Sequence, residues 1–237
     1  MWTQNKTIEF FLKIDQKTIF TKKFMSFRSG AIYLNPKVVW LGHASFRIES
    51  ELGTVYVDPW KLKDPVKADI ILITHSHHDH MSGEDIKKLE KKGTRVVGPD
   101  DVAENLEGVD PIKPGESKKF DGIKIEAHRA YNIDKEFHPK SSNWVGYVMD
   151  IGGYRIYHSG DTDVIPEMEN LEGIDIALLP VGGTYTMGPG EAAQAVDKIK
   201  PKKAIPMHWG DIVGDIGSAE KFKDLASCEV EIPQKSD

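Results

Sequence analysis

The run His75-Ser76-His77-His78-Asp79-His80 restricts what this chain can fold into more than any other feature, because it puts four imidazoles and a carboxylate within six residues. Residues 68–74, just ahead of it, are an apolar run rich in β-branched side chains, which favours a strand covered on both faces. The capping pattern that begins at Ser82 predicts a helix over residues 84–92. The histidines therefore lie on a strand-to-helix loop, where sheet scaffolds commonly hold functional residues.

This density of imidazoles indicates part of a metal site. In an extended chain, His75 and His77 point to the same side and can bind one cation together. Asp79 and His80 follow where the chain turns, so they can bind a second cation beside the first. A polar surface loop is the alternative interpretation, but imidazoles this crowded would repel one another once protonated. We therefore favour the metal site.

Three other predicted strands end on residues that can bind or support a metal ion. The strands at residues 54–57, 154–158 and 204–207 are followed by Asp58, Asp161 and His208. Asp161 belongs to a Gly-Asp-Thr turn, which presents its carboxylate at the strand end. These segments supply the further ligands that the histidine loop needs.

The combined motifs resemble the metallo-β-lactamase superfamily: His75-x-His77-x-Asp79-His80, then Gly160-Asp161-Thr162, then a strand-terminal His208. Stretches at residues 40–46, 58–60, 157–163 and 180–187 are similar to a branch of metal-dependent hydrolases. That branch is close to ascorbate-phosphate lactonase and, more distantly, to N-acyl-phosphatidylethanolamine phospholipase D. The resemblance runs from about Lys37 to the C-terminus.

The resemblance implies a cofactor of two divalent metal ions. It assigns His75 and His77 to the first metal, Asp79, His80 and His208 to the second, and Asp161 as the bridge between them. Because Cys228 is the sole cysteine and lies far from every motif, nitrogen and oxygen must be the ligands. Zn²⁺ is the expected metal, with Mn²⁺, Fe²⁺ or Ni²⁺ as alternatives.

The expected reaction is hydrolysis by a hydroxide that bridges the two metals. Asp79 and Asp161 are the predicted catalytic carboxylates, because they fix the metals and can accept the proton of the hydroxide. The resemblance favours a small anionic ester as substrate, either a phosphorylated lactone or a phosphodiester. We do not expect a lipid, a β-lactam or nucleic acid. The alternatives are a non-catalytic metal-binding module and a phospholipase-D-like enzyme that acts on lipid.

The first metal still needs a third imidazole, and here the chain departs from the phospholipase-like pattern. Asn132 stands where those relatives have a histidine. Two replacements are available, His128 just upstream and His138 in a predicted loop. We favour His138, since a loop can reach a strand-end site, whereas the aim of His128 depends on the register of its strand.

Four residues are predicted to surround the metal ligands or to contact the substrate. Asp58 is expected to accept a hydrogen bond from a ligand imidazole, a support that metal sites commonly need. The resemblance places His43 near the metals, either in contact with the substrate or in support of a metal ligand, with a structural turn histidine as the alternative. His158 either orients Asp161 or packs in the core, and Tyr185 lies in a glycine-rich stretch that we interpret as a pocket wall offering N–H groups to an anion.

The order of predicted elements indicates an α/β fold, a four-layer αββα sandwich. Strands, the metal loop and two helices form a first half, and strands followed by alternating strand and helix form a second. Two such halves imply two sheets packed face to face with helices outside. We assign this hydrolase domain to residues 37–237 and treat residues 1–36 as a basic, aromatic N-terminal extension, or as a start assigned upstream of Met25.

Composition restricts the class of protein further. With 39% hydrophobic and 29% charged residues, the chain is typical of a soluble globular protein, and we expect it in the cytoplasm. The formal net charge of −6 argues against nucleic acid as a partner. No apolar run approaches membrane-spanning length, so we expect no membrane association. The expected partner is a small-molecule substrate, and homo-oligomers are compatible with the sequence.

Overall fold

The structure, a computed structural model, describes residues 25–28 and 31–236, with side chains from Asn35 onward. Strands β1 (Met25–Arg28) and β2 (Ala31–Leu34) form an antiparallel hairpin. Most of the N-terminal extension that we assigned to residues 1–36 lies outside the described residues. That assignment stays a prediction.

The first large sheet has six strands in sequential order, and its fourth and fifth connections each contain a helix. Its strands are β3 (Lys37–Gly42), β4 (Ser45–Ser50), β5 (Gly53–Val57), β6 (Ile70–Leu72), β7 (Arg95–Gly98) and β8 (Val109–Pro111). The helices are α1 (Gly83–Leu89) and α2 (Asp100–Asn105). Pairing is antiparallel from β3 to β5 and parallel from β5 to β8.

The second large sheet has seven strands and repeats this change from antiparallel to parallel pairing. Its strands are β9 (Ser117–Phe120), β10 (Ile123–Arg129), β11 (Val145–Ile151), β12 (Tyr154–His158), β13 (Ile176–Pro180), β14 (Lys203–Met207) and β15 (Glu229–Val230). Its helices are α3 (Pro189–Ile199) and α4 (Ile216–Leu225), and short 3-10 turns lie at Lys140–Ser142 and Pro166–Asn170. Pairing becomes parallel after β12.

The two sheets pack face to face, as the alternation of buried side chains along β5 shows. Val55 and Val57 belong to the large core that both sheets share, whereas Tyr56 between them belongs to a separate cluster with α1 and α2. Side chains of α3 and α4, including Val196 and Phe222, cover the second sheet. The predicted four-layer αββα sandwich is confirmed.

The local signals in the sequence correspond to observed elements. Ser82 caps α1, since its hydroxyl oxygen accepts a hydrogen bond from the Asp85 backbone N–H at 3.3 Å. Gly152 and Gly153, both with positive φ, form the turn between β11 and β12. Among the described residues, no helix is both long and apolar enough to cross a membrane; α3, with 11 residues, is the longest.

The close approach of β11 to the end of β12 gives the first testable prediction. A Cβ at Gly146 would lie 2.5 Å from the Ser159 carbonyl oxygen and 2.7 Å from that of His158, so Gly146→Ala must displace backbone. We expect the free energy of unfolding to fall by about 1–3 kcal/mol, the usual cost of overpacking, in a urea titration. In the matched control Gly190→Ala, a Cβ in α3 meets nothing within 4 Å, and stability should stay equal or rise. Equal stability of Gly146→Ala and wild type would contradict the prediction.

Candidate metal centre

The candidate site lies where strands of both sheets end and the chain turns sharply. Asp58 follows β5, the histidine run follows β6, Asp161 follows β12 and His208 follows β14. Asp58, His208 and His43 have positive φ values of 47°, 57° and 51°, a backbone conformation that non-glycine residues seldom adopt. Such conformations persist where the surrounding structure enforces them, commonly at functional sites.

One group of potential ligand atoms consists of three imidazoles. His75, His77 and His138 each offer a ring nitrogen, and these nitrogens lie within 4.8 Å of one another. The ring of Trp144 packs against all three, with centroid distances of 4.8, 4.8 and 5.6 Å. Its indole N–H donates to Asp101 Oδ2 at 2.6 Å, which fixes the ring in this position. The structure therefore brings the predicted third imidazole, His138, to the first two.

A second group lies beside the first. His43, Asp79, His80 and His208 place ligand atoms within 4.8 Å of one another. His43 was predicted to contact the substrate, to support a metal ligand or to be a turn histidine, and the structure places its Nε2 2.9 Å from Asp79 Oδ2. The contact spans 36 positions of sequence, so no local pattern could have revealed it.

Asp161 joins the two groups. Its Oδ2 lies 3.2 Å from His138 Nε2 and 3.0 Å from His208 Nε2, and its Oδ1 lies 3.5 Å from His80 Nε2. It also forms a compact triplet of ligand atoms with His75 and His80. A carboxylate with imidazoles from both groups around it has the position that a bridging ligand requires.

Several buried ligand atoms at this site lack a hydrogen-bond partner. The Nε2 atoms of His80, His138 and His208 and Oδ1 of Asp161 are buried without a hydrogen-bond partner of acceptable geometry. Buried polar atoms are normally paired, and several unpaired atoms converging on one point need an explanation. Nitrogen and oxygen donors at this spacing are the ligands that Zn²⁺ and similar divalent ions prefer. The residues present therefore fit the divalent metal ions that the sequence predicts.

Three of these imidazoles are held so that Nε2 faces the centre. Thr74 donates its hydroxyl to Asp58 Oδ2 at 2.7 Å, so its oxygen is left to accept from His75 Nδ1 at 2.9 Å. His80 Nδ1 donates to the same Asp58 oxygen at 2.7 Å. His138 Nδ1 donates to the side-chain oxygen of Asn132 at 2.9 Å. With Nδ1 in these contacts, Nε2 is the ring nitrogen of His80 and His138 that is left to face the centre, and Nε2 of His75 lies 3.0 Å from His77 Nδ1 within the first ligand group.

The electrostatics of the buried cluster are those of strongly coupled groups. Burial raises the pKa of Asp161, but the imidazoles of His208 and His80 outweigh it and hold that pKa well below its ordinary value. Burial lowers the pKa of His80, yet the carboxylates of Asp161 and Asp58 hold it well above the ordinary value. Burial and the neighbouring His80 push the pKa of His75 well down.

The other candidate residues lie around the ligands or away from them. His128 is half-buried on β10, with Nε2 4.0 Å from Glu126, and joins none of the ligand groups found among the described residues. His158 is fully buried: Nε2 donates to the Ala44 carbonyl at 2.8 Å, and Nδ1 accepts from Gly160 N–H at 3.1 Å. It thus ties β12 to the β3–β4 turn just ahead of Asp161.

The glycine-rich stretch at residues 182–190 is less open than its sequence suggested. The N–H of Gly183 donates to Met187 O, the N–H of Met187 to Thr162 O, and the N–H of Gly188 to the Glu191 carboxylate. These three N–H groups cannot also bind an anion, so our interpretation of the stretch as an N–H donor set is wrong at these positions. Tyr185 does line the cavity described next.

A cavity of about 260 Å³ opens onto both ligand groups. It is lined by His77, His78, Asp79, Phe137, His138, Asp161, Tyr185, His208 and Ile212. The side chain of His78 is 82% exposed and lies at this lining. A small molecule can therefore reach the buried ligand atoms from solvent.

Asn132 gives the second testable prediction, because it holds His138 in three ways. Its side-chain oxygen accepts hydrogen bonds from both Nδ1 and the backbone N–H of His138, and the backbone N–H of Asn132 donates to the His138 carbonyl. We expect Asn132→Ala to weaken binding of the first metal by about 10–100-fold, the usual effect of losing such a partner. Titration against a chromophoric chelator measures this. Asn105→Ala, an exposed asparagine on α2, is the control, and an unchanged affinity in Asn132→Ala would refute the assigned role.

Comparison with known proteins gives the same class. A family model described as a β-lactamase superfamily domain matches residues 37–208. A UPF0173 metal-dependent hydrolase of Thermococcus onnurineus is 38% identical over 216 residues, which cover 83% of this chain and 94% of the relative. Relatives of the same description occur in Pyrococcus furiosus, at 37% identity over 83% of this chain and 94% of the relative.

Solved structures agree in fold. Igni18, a metallo hydrolase from the archaeon Ignicoccus hospitalis, has a TM-score of 0.70 at 25% identity, covering 85% of this chain and 96% of its own. A Thermotoga maritima protein, provisionally described as a zinc-dependent hydrolase of the metallo-β-lactamase superfamily, has a TM-score of 0.58 at 26% identity, covering 81% and 87%.

The fold and the cluster define a metal-dependent hydrolase of the metallo-β-lactamase superfamily. Within that superfamily, the chain belongs to the family of UPF0173 metal-dependent hydrolases. The finer likeness to ascorbate-phosphate lactonase rests on motifs alone.

Proposed function

We propose that this protein hydrolyses a small anionic ester, a lactone or a phosphodiester, at a centre that holds two divalent metal ions. The observation that carries the proposal is the arrangement around Asp161, where buried and unpaired ligand atoms from two groups face one carboxylate. Each ligand group would hold one ion, and Asp161 would contact both ions. Zn²⁺ suits the donor set, with Mn²⁺, Fe²⁺ or Ni²⁺ as alternatives.

Two such ions, when bound, supply a Lewis acid and bring the pKa of a shared water towards neutrality. The protein's own residues hold the geometry and the charge. Burial raises the pKa of Asp79, but the hydrogen bond from His43 together with the imidazoles of His80 and His43 outweighs this and holds the pKa well below the ordinary value. Asp79 and Asp161 are therefore ionised at neutral pH, and in our proposal their oxygens would bind metal and accept a proton from the attacking water.

The charge of the site supports an anionic substrate. Two dications exceed the charge that Asp79 and Asp161 neutralise, and bound metals are the largest charges in such a site. The lining residues named above include neither lysine nor arginine, so within this cavity the metals are the main attraction for an anion. The cavity itself favours catalysis over a non-catalytic metal-binding module, because it opens the ligand atoms to a small molecule.

The test is a hydrolase panel on one metal-reconstituted sample. Lactones, phosphodiesters, phosphomonoesters and thioesters are offered to the stripped protein and to the same protein reloaded with Zn²⁺ or Mn²⁺. We expect turnover of a lactone or a phosphodiester that disappears on stripping and returns on reloading. A protein that takes up metal and hydrolyses none of the panel would support the non-catalytic alternative, and turnover confined to long-chain lipids would support the phospholipase-like one.

A further inference from the structure

Exposed apolar side chains are concentrated on two segments that also carry residues of the metal cavity. Among residues 35–236, six large hydrophobic side chains are classed as exposed: Val66, Ile133, Phe137, Ile212, Ile216 and Leu225. Four of them lie within residues 132–138 or 208–216, the two segments that lead away from His138 and His208. Single exposed hydrophobic residues are normal on a protein surface, but a group beside a functional site requires a reason.

Two of these side chains face the cavity itself. Phe137 is 48% exposed and Ile212 is 42% exposed, and both line the cavity together with the metal ligands. The ring of Tyr185 meets Phe137 edge to face, with centroids 4.8 Å apart, so the aromatic part of the wall is preformed. Phe137 directly precedes His138 in the chain, which fixes the apolar wall next to the first ligand group.

The charged side chains around the cavity also favour an apolar group on the substrate. Two lysines on adjoining segments are already engaged: Lys135, two residues before Phe137, pairs with Asp163 at 2.5 Å, and Lys61 pairs with Asp211 at 2.7 Å. A second anionic group on the substrate, such as the phosphate of a phosphorylated lactone, would find neither lysine nor arginine among the lining residues. An apolar group would instead remove Phe137 and Ile212 from water.

From these observations we infer that the substrate carries one apolar arm, aryl or short alkyl, which packs against Phe137, Tyr185 and Ile212 while the ester group lies at the metals. The inference rests on the proposed function and narrows it to a phosphodiester with an apolar substituent, at the expense of a phosphorylated lactone. At about 260 Å³ the cavity lies below the usual range for drug-sized ligands, so the arm is short and a long lipid chain does not fit within it.

The first experiment measures binding without turnover. Methyl-, butyl-, phenyl- and dodecylphosphonate present the same anionic head to the metal-loaded protein and differ in the apolar arm alone. We expect butyl- and phenylphosphonate to bind roughly tenfold more tightly than methylphosphonate, because a partly exposed wall captures part of the ~0.8 kcal/mol available per methylene. Phe137→Ala and Ile212→Ala should each reduce this ratio to about threefold or less. Leu225→Ala, exposed at the end of α4 and outside the lining, is the matched control and should keep the wild-type ratio.

The second experiment measures hydrolysis of 4-nitrophenyl phosphodiesters and γ-lactones that carry the same methyl, butyl or phenyl groups. A preference for the apolar arm in both binding and kcat/KM supports the inference and the proposed function together. Equal binding of methyl- and phenylphosphonate overturns the inference even if the esters are cleaved. A preserved binding preference without any hydrolysis overturns the proposed function alone. Tighter binding of dodecylphosphonate than of butylphosphonate overturns the inference that the apolar arm of the substrate is short.

Discussion

Replacing Asp161 with alanine is expected to abolish hydrolysis and to reduce the metal content of the protein. Wild type should approach two metal ions per chain after loading, whereas Asp161→Ala should lose at least one of them. The reason is geometric, since the Asp161 carboxylate lies 3.0–3.5 Å from three imidazole nitrogens that belong to both ligand groups. We expect the loss of metal affinity to exceed the 10–100-fold typical of removing a partner that acts only through another ligand. Elemental analysis of gel-filtered protein measures it.

Two further variants separate this effect from general unfolding. Asp161→Asn keeps the shape of the side chain but removes the charge, so it should lose metal and activity while remaining folded. Asp175→Ala removes another buried carboxylate, one that accepts from Arg155 N–H and pairs with Lys202 away from the site. It should lose stability but keep its metal-to-protein ratio. A fully active protein with one metal ion per chain would refute the binuclear centre.

The sequence predicted the fold well where local patterns carry the information. Helix α1 has a capping serine, β6 is a β-branched apolar run, and Gly152-Gly153 is a turn signal, and each depends on residues close in sequence. The four-layer arrangement then followed from two successive halves of strand and helix. Predicted and observed helix ends differ by one to three residues, as at α1, because capping and fraying are decided by tertiary contacts.

The site was less predictable where it depends on contacts between distant segments. The resemblance suggested His43 as a substrate contact or as support for a metal ligand without naming its partner, and its bond to Asp79 exists because the β3–β4 turn and the histidine loop meet at one edge. Trp144 forms the floor under three imidazoles, yet in the sequence it is an aromatic residue ahead of an apolar strand. The glycine-rich stretch misled for the same reason, because the partners of its N–H groups include Thr162, which is remote in sequence.

Asn132 shows how one substitution and a new ligand depend on each other. A histidine at position 132 would be needed only if no other imidazole reached the first group, and here His138 does so from the same loop. Asn132 then serves as the acceptor that orients His138, and its side-chain N–H₂ donates to Asp163 at 3.1 Å and to Tyr185 O at 3.0 Å. The loop at residues 132–138 is therefore closed at both ends, which places Phe137 at the cavity and His138 at the metals.

The last prediction compares the two histidines that the sequence left open. His138→Ala is expected to remove a ligand of the first metal, so metal content should fall and hydrolysis should drop by more than about 100-fold. His128→Ala should change either quantity by less than about twofold, because surface substitutions away from special features usually cost within ±0.5 kcal/mol. The structural basis is that His138 is 1% exposed with Nε2 unpaired and turned to Asp161, whereas the side chain of His128 is 30% exposed on β10.

Metal content after equilibrium dialysis and kcat/KM on the best substrate of the panel are measured on both variants in parallel. Thermal unfolding of the metal-free proteins serves as the control, since both variants should unfold close to wild type when no metal contributes to stability. His138→Gln, which keeps an oxygen and a nitrogen at the end of the side chain, should likewise fold but should not bind metal tightly. If His128→Ala loses metal and His138→Ala retains it, the third imidazole of the first metal comes from β10, and the loop at residues 132–138 has another purpose.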